Sequence, residues 1–576
     1  MQHRPRPVLL LVAALAAGAL GAAPGPGAAA AADDGPDRFR SQEIAWAECP
    51  EQGPAEMRCG TLTVPLDHAD PAKGTVDLAV SRIPATGKAR RGSLVFNFGG
   101  PGAPGVALLG EHVREFADLG EAYDLVAFDP RGVGRSEPVS CGGALDAAGV
   151  GDTDVARVES LRTVWKECQA NSGPVLPYVG TVNVARDLDV LREVLGERKL
   201  DYLGFSYGTR IGAVYAKLFP DTTGRMVLDG VDTLTEPLTE QALATAQGQQ
   251  QALDNFLTWC THQNHCVYGT NARTAKERVP ALVRRLDAEP LVGYDGSYVT
   301  GQDAAWAIAL GLYSKDDWPR LADALRMAEA DRDPTGLLML GGPIGPDPDP
   351  DPDPEPEPEP SEETVPGEES APAEESAPAE ETAPGTGQEP GRPEPGRPEP
   401  GRPEPGRPEP GAFPWARAPR ASYDAYGIPP DNMAAALIAV NCADDPDRVG
   451  AGGAGRVLAE MRALEAEFRK ASPVFGPGQL STVLSCYGRP AGTDFVRELR
   501  RTAGPPLLLV GTRGDPATPY RWTEETAARL GRTVVLDHKG EGHVAYRASP
   551  CVRERINAFL VDGSLPHGTR SCPAGE

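Results

Sequence analysis

Residues Leu200-Asp201-Tyr202-Leu203-Gly204-Phe205-Ser206-Tyr207-Gly208-Thr209 decide how this chain is read. A short apolar run, Leu200 to Leu203, suits a buried strand, and the stretch Thr209 to Leu218 has the character of a helix. Between them stands Gly-x-Ser-x-Gly. Glycine on both sides of Ser206 lets the backbone turn sharply and approach its neighbours closely. The helix that follows would aim its first amides and the positive end of its dipole at negative charge forming near the hydroxyl. The motif alone is common; the strand before it and the helix after it make Ser206 a candidate nucleophile rather than a serine in a surface turn.

A serine hydroxyl attacks only if a base can take its proton and a third group fixes that base. Three of the eight histidines, His538, His543 and His567, follow a late strand-like segment. His543, in Gly540-Glu541-Gly542-His543, lies seven residues beyond the run ending at Leu536, where glycines let a loop bend back over a sheet edge. His538 is too near its strand to swing, and His567 belongs to a terminal cysteine-flanked segment. The acid expected is Asp515, in the loop after Leu507 to Val510, 28 residues before His543 and so one helix and one strand away. Asp229, after Met226 to Leu228, is the rival acid. The order Ser, Asp, His is that of α/β-hydrolases. Oxyanion donors are expected from the amides of Gly100, in Asn97-Phe98-Gly99-Gly100-Pro101-Gly102, and Tyr207. Gly132-Val133-Gly134 does not complete a dinucleotide fingerprint, because Glu137 occupies the third glycine position.

Working outward, Ser93 to Phe98, Leu125 to Phe128, Tyr202 to Phe205, Met226 to Leu228, Leu507 to Val510 and Val534 to Leu536 all read as buried parallel strands. Helical stretches take over between them, around Glu240 to Trp259, Ala304 to Leu312 and Pro319 to Ala330. The expectation is an α/β-hydrolase fold with a mostly parallel sheet and an inserted helical cap. Residues 1–32 would be a signal peptide, 33–230 the first part of the core, 231–440 the cap, and 441–576 the C-terminal part of the core. The cap would contain a low-complexity insert at 344–411. Proline and like charge deny that insert a core, and at about 3.1 Å per residue it could extend on the order of 200 Å, as a spacer suited to cell-wall association.

Charge and cysteine usage bound the class. Residues 347–410 hold 20 Asp and Glu against 4 Arg, a net −16 of the chain's −26. The rest carries about −10 and no basic run, which argues against a nucleic-acid partner. Arg4 and Arg6, the apolar run Val8 to Ala23 and the alanines before Asp33 read as an export signal too short to span a bilayer, and no later segment is long enough to cross one. The 10 cysteines suggest neighbouring disulfides: Cys49 with Cys59, Cys141 with Cys168, Cys260 with Cys266, Cys442 with Cys486, and Cys551 with Cys572. Cys260, His262, His265 and Cys266 could instead be written as a zinc site, but ligands so crowded rarely reach one ion tetrahedrally. No metal is expected.

Gly99-Gly100-Pro101-Gly102, Asp129-Pro130-Arg131-Gly132-Val133-Gly134-Arg135-Ser136, Gly204 to Gly208, Asp515 and Gly542-His543 together resemble the secreted bacterial tripeptidyl aminopeptidases of the prolyl iminopeptidase family. The resemblance spans about residues 40–340 and 412–575, and Asn441-Cys442-Ala443-Asp444 shares it. Prolyl iminopeptidases usually have His where this chain has Phe98, and the acidic insert is foreign to their pattern. The resemblance implies release of short peptides from substrates with free N-termini, through an acyl-enzyme and without metal or organic cofactor. A cap carboxylate would hold the substrate ammonium, for which Glu236, Glu240 and Asp444 are candidates. Two other readings remain: an esterase or lactonase on the same fold, and a catalytically dead wall-associated binding protein.

Overall fold

The computed structural model describes residues 37–50, 53–148, 153–233, 236–293, 296–341, 426–445, 453–489, 499–501 and 503–575. The expected signal peptide and the 344–411 insert therefore lie outside the described residues. A ten-stranded sheet organises the rest. Its strands are β1 (Ala47–Glu48), β2 (Arg58–Pro65), β3 (Thr75–Ile83), β4 (Gly92–Asn97), β5 (Tyr123–Phe128), β6 (Leu200–Phe205), β7 (Thr223–Asp229), β10 (Leu507–Gly514), β11 (Thr533–Glu541) and β12 (Ser571–Cys572). Two short strands, β8 (Leu291–Val292) and β9 (Tyr298–Val299), pair separately in the cap.

The order across the sheet is β1-β2-β3-β5-β4-β6-β7-β10-β11-β12. From β5 to β12 every neighbouring pair is parallel, whereas β1, β2 and β3 form an antiparallel edge. The expected parallel strands are all present. Every residue of β4 and β5 is buried because helices cover both faces, and such strands read as continuous apolar runs. The edge strands alternate instead: Leu62 and Val64 point inward while Thr61 and Thr63 face outward. That weaker period-two signal is why β2 and β3 escaped the sequence reading.

The strand order reverses at β4, whose neighbours are β5 on one side and β6 on the other. Crevices at such a switch point, beyond the carboxyl ends of the strands, are where open α/β sheets bind ligands. The loops after β4 and β6, carrying Gly99-Gly100 and Ser206, leave the sheet here.

Buried side chains fill both faces of the sheet, with Val95, Val126 and Tyr202 on one and Leu94, Phe96 and Leu203 on the other. The cap has a core of its own around Phe256, Leu257, Ile308, Trp318 and Leu321. Helices Leu238–Cys260, Ala272–Ala288, Gly301–Gly311 and Trp318–Arg326 build it. The expected change from cap to core at residue 441 falls inside helix Asn432–Asp444. Helix Asn432–Asp444 is already anchored to the core: the Asn432 side-chain amide donates to the carbonyls of Gly132 and Val139, and its oxygen accepts from Gly134 N. Helices Ala454–Ala471 and Gly476–Val483 pack back on the cap helix Leu238–Cys260, and the sheet resumes only at Leu507. Apolar helical stripes look alike whichever layer receives them, so sequence could not place this boundary.

All five expected disulfides form. With Cys260 and Cys266 bonded to each other, their thiolates are not available as metal ligands. Among the described residues no helix is long and apolar enough to cross a membrane.

Candidate active site

Ser206 occupies the single-residue turn between β6 and helix Tyr207–Leu218, with φ 53° and ψ −124°. A side-chain-bearing residue rarely adopts a positive φ, and a conformation of this kind costs on the order of 1–3 kcal/mol unless its surroundings enforce it. Here they do. Ser206 N donates to the carbonyl of Asp229 at 2.9 Å, and its own carbonyl accepts from Thr209 N at 2.8 Å. The adjacent loop is equally close: a Cβ placed on Gly99 would lie 2.7 Å from the Phe205 carbonyl and 2.9 Å from Ser206 Cβ. With φ +93°, position 99 needs glycine on both counts.

The imidazole of His543 faces Asp515. Its Nδ1 lies 3.0 Å from each Asp515 carboxylate oxygen. Asp515 is held in turn by the amides of Ala517 and Thr518, each at 2.8 Å, and by the Thr518 hydroxyl at 2.9 Å. The carboxylate thus points one way and fixes the ring. Burial opposes the charged imidazolium, but the charge and hydrogen bond of Asp515, with Asp229 and Asp232 beyond, hold the His543 pKa above its ordinary value. The cap closes over this pair. Tyr313 accepts the His543 main-chain N–H at 2.7 Å, and its ring meets the imidazole edge-on, centroids 5.1 Å apart.

β11 runs to Glu541, so His543 stands two residues past the strand rather than the seven expected from a strand ending at Leu536. His538 lies inside β11, buried, 3.3 Å from the Thr512 hydroxyl, and His567 is exposed near the C-terminus. Asp229, the rival acid, spends its carboxylate on main-chain amides of the His543 loop: Ala545 N at 3.1 and 3.0 Å and Tyr546 N at 2.8 Å.

Ser206 and His543 both border the end of β7. Asp229 accepts the Ser206 amide, and a Cβ on the next residue, Gly230, would stand 3.3 Å from His543 Cε1. Among the described residues no hydrogen bond joins Ser206 Oγ to the imidazole. Likewise among them, neither the Gly100 nor the Tyr207 amide has a protein acceptor, as donors reserved for an oxyanion require. Behind the nucleophile, Phe96, Phe98, Phe116, Phe205 and Tyr546 form an aromatic floor with neighbouring centroids 4.7–6.2 Å apart. Phe98 belongs to this apolar surface.

The three ammonium candidates are placed elsewhere. Asp444 accepts from the Thr181 amide and hydroxyl and pairs with Arg210 at 3.2 Å. Arg210 also bridges Asp232 at 2.9 Å and stacks over the Tyr207 ring, so Asp444 belongs to a buried network that braces the nucleophile helix. Glu236 forms an ion pair with Arg529, and Glu240 is exposed in the first turn of helix Leu238–Cys260. Among the described residues no hydrogen bond or ion pair joins any of the three to Ser206. Sequence reading missed Tyr313 and Thr518 as neighbours of the imidazole. Thr518 sits three residues after Asp515, where a turn threonine commonly bonds back, but nothing local to Tyr313 marks it, since the cap delivers it.

Comparison with known proteins agrees with this geometry. The family described as "alpha/beta hydrolase fold" matches residues 93–321, and "TAP-like protein" matches residues 472–572. The chain is a serine hydrolase of the α/β-hydrolase fold. This hydrolase is 29% identical to "Serine protease Hip1" of Mycobacterium tuberculosis over 92% of its own length and 91% of that protein. It is 43% identical to "Tripeptidyl aminopeptidase" of Streptomyces lividans, over 33% of its length and 38% of that protein. "Carboxylesterase B" of M. tuberculosis is 27% identical over 89% of the hydrolase and 86% of that protein. The resemblance to tripeptidyl aminopeptidases read from the motifs is borne out by these matches.

Proposed function

We propose that this hydrolase is a secreted serine exopeptidase that releases short peptides, tripeptides foremost, from free N-termini. Ser206 is the nucleophile, His543 the general base and Asp515 the acid that orients it. The observations that support the reading are a strained serine turn and a histidine loop that both border the end of β7, with the histidine Nδ1 lying 3.0 Å from a buried carboxylate. With Nδ1–H committed to Asp515, Nε2 is left as the proton acceptor.

Ser206 Oγ adds to the scissile carbonyl carbon as its proton passes to Nε2. The resulting oxyanion faces the amides of Gly100 and Tyr207, each such donor being worth roughly 3 kcal/mol of barrier. The imidazolium then protonates the departing amine, leaving an acyl-Ser206, and water activated by the same Nε2 hydrolyses it. Catalytic hydrogen bonds between nucleophile and base are often long before substrate binds and tighten afterwards, consistent with the absence, among the described residues, of a hydrogen bond from Ser206 Oγ to the imidazole. Export accords with five disulfides, since such bonds persist in oxidising compartments. The acidic insert would act as a wall-associated spacer.

Mass spectrometry of products from matched free and N-blocked peptides tests this reading. Tripeptides released only from free amines are expected; equal cleavage of blocked peptides would refute it. The likeness to a carboxylesterase favours one alternative, an esterase on the same site. Faster turnover of short acyl esters than of tripeptidyl anilides would establish that reading instead.

A further inference from the structure

Asp229 closes β7 and is fully buried, yet it does not touch the imidazole nitrogen as an acid of the triad would. Its hydrogen bonds run in two directions. Its main-chain carbonyl accepts the Ser206 N–H at 2.9 Å, on the strained nucleophile turn. Its carboxylate accepts Ala545 N and Tyr546 N at 2.8–3.1 Å, on the loop that carries His543. One residue therefore ties the two reacting groups together although 337 positions separate them in the chain.

The loop needs such a tie. Val544, between His543 and the two captured amides, has φ +62°, a conformation that a β-branched side chain strongly resists. It is held from both ends: Tyr313 O accepts His543 N at 2.7 Å on one side, and the Asp229 carboxylate grips residues 545 and 546 on the other. Hydrogen bonds to an ionised acceptor are roughly twice as strong as neutral ones, which suits a group that must hold a strained turn. Gly230 supplies the clearance, since a Cβ there would come within 2.9 Å of Val544 Cγ1 and 3.3 Å of His543 Cε1.

We propose that Asp229 is a positioning residue whose carbonyl and ionised carboxylate set the Ser206 turn and the His543 loop in register, and whose charge also stabilises protonated His543. This inference rests on the proposed roles of Ser206 and His543. Among the described residues, the charged groups that act on it are His543 and Asp515 from the neighbouring loops, with Asp232, further along its own loop, acting on His543. Burial pushes the Asp229 pKa up to about 6, against the pull of the two amides and of His543, so the carboxylate is charged at neutral pH and marginal in weak acid.

The test compares wild type, Asp229→Asn, and Asp229→Asn combined with Val544→Gly. The readouts are the fluorophosphonate labelling rate of the serine and the pH profile of kcat on a free-amine tripeptidyl anilide. The single variant should lose about 10- to 100-fold in labelling rate and kcat, with KM within about threefold, since misplacement by about 1 Å costs that much. Its acidic limb should move to lower pH by about half a unit or more, because removing a nearby negative charge lowers the His543 pKa. A purely structural role would leave the limb in place. Glycine tolerates the positive φ without the tie, so the double variant should regain several-fold of the lost rate while keeping the lowered limb. If the single variant does not fold, the double variant against wild type gives the limb comparison. Wild-type rate with an unmoved limb, or a double variant no faster than the single, would overturn the inference. Wild type that resists labelling, like Ser206→Ala, would instead overturn the reading of the site itself.

Discussion

Replacing Asp515 by Asn tests the arrangement most sharply, because the geometry dictates which way the new amide must turn. One carboxylate oxygen of Asp515 accepts the Ala517 and Thr518 amides at 2.8 Å, so the oxygen of Asn must stay there and its NH2 must face His543. A donor opposite Nδ1 forces the imidazole to place its proton on Nε2, and the ring can then no longer take the Ser206 proton. The lost charge matters as well. An imidazolium and a carboxylate at the observed 3.0 Å attract by about 5.5 kcal/mol at an effective dielectric of about 20. At about 1.4 kcal/mol per decade that is roughly four decades of rate. Asp515→Asn should therefore lower kcat on a tripeptidyl anilide by about 10³- to 10⁴-fold. KM should hold within about threefold, since Asp515 is buried behind His543 and does not meet substrate. The melting temperature should stay close to that of wild type, because the anchoring amide bonds survive. Steady-state kinetics with an active-site titration to exclude residual wild-type enzyme measures it. A loss below about 10-fold in a folded, titratable variant would refute the assignment of Asp515 and return the role to another acid.

Three further outcomes rest on the same geometry. Since His543 must be neutral to act as base and its pKa is held above the usual imidazole value, kcat/KM should rise with pH through a midpoint above about 6.5; a midpoint clearly below that contradicts the electrostatics described. By linkage, the same raised pKa contributes stability that is present below the unfolded imidazole value and lost as pH rises through the folded one. Gly99→Ala puts a methyl group against the Phe205 carbonyl at a backbone angle unfavourable to alanine, so serine labelling should slow at least about 10-fold, with destabilisation of about 1–3 kcal/mol in urea titrations; an unaffected rate would mean the two loops are not tightly apposed. Arg210→Met strands the carboxylates of Asp232 and Asp444 without their cation, and thermal melting should fall by roughly 3–6 °C, from about 3–5 kcal/mol of lost stability; an unchanged melt would show that the network does not brace the helix.

Local chemistry made much of this legible in one dimension. The apolar runs of the parallel strands are continuous because both faces are covered, and the serine turn announces itself by flanking glycines. Asp515 and His543 follow their strands at the spacing that one helix and one strand impose. What stayed hidden depends on residues far apart in sequence. Asp444 and Glu236 look like available cap acids until the fold supplies Arg210 and Arg529. The cap boundary cannot be read because helices of the cap and of the core carry the same apolar stripe.

By itself, then, the amino-acid sequence determined the parallel strands of the core, their order along the chain and three candidate groups for nucleophilic chemistry, since these follow from periodicity, turn residues and functional-group type. Tertiary structure alone decided that His543 pairs with Asp515 and not Asp229, that Asp229 instead joins the serine turn to the histidine loop, and that Tyr313 reaches in from the cap. Such choices turn on separations of about 3 Å between segments that lie tens to hundreds of residues apart, and no local pattern encodes a distance of that kind.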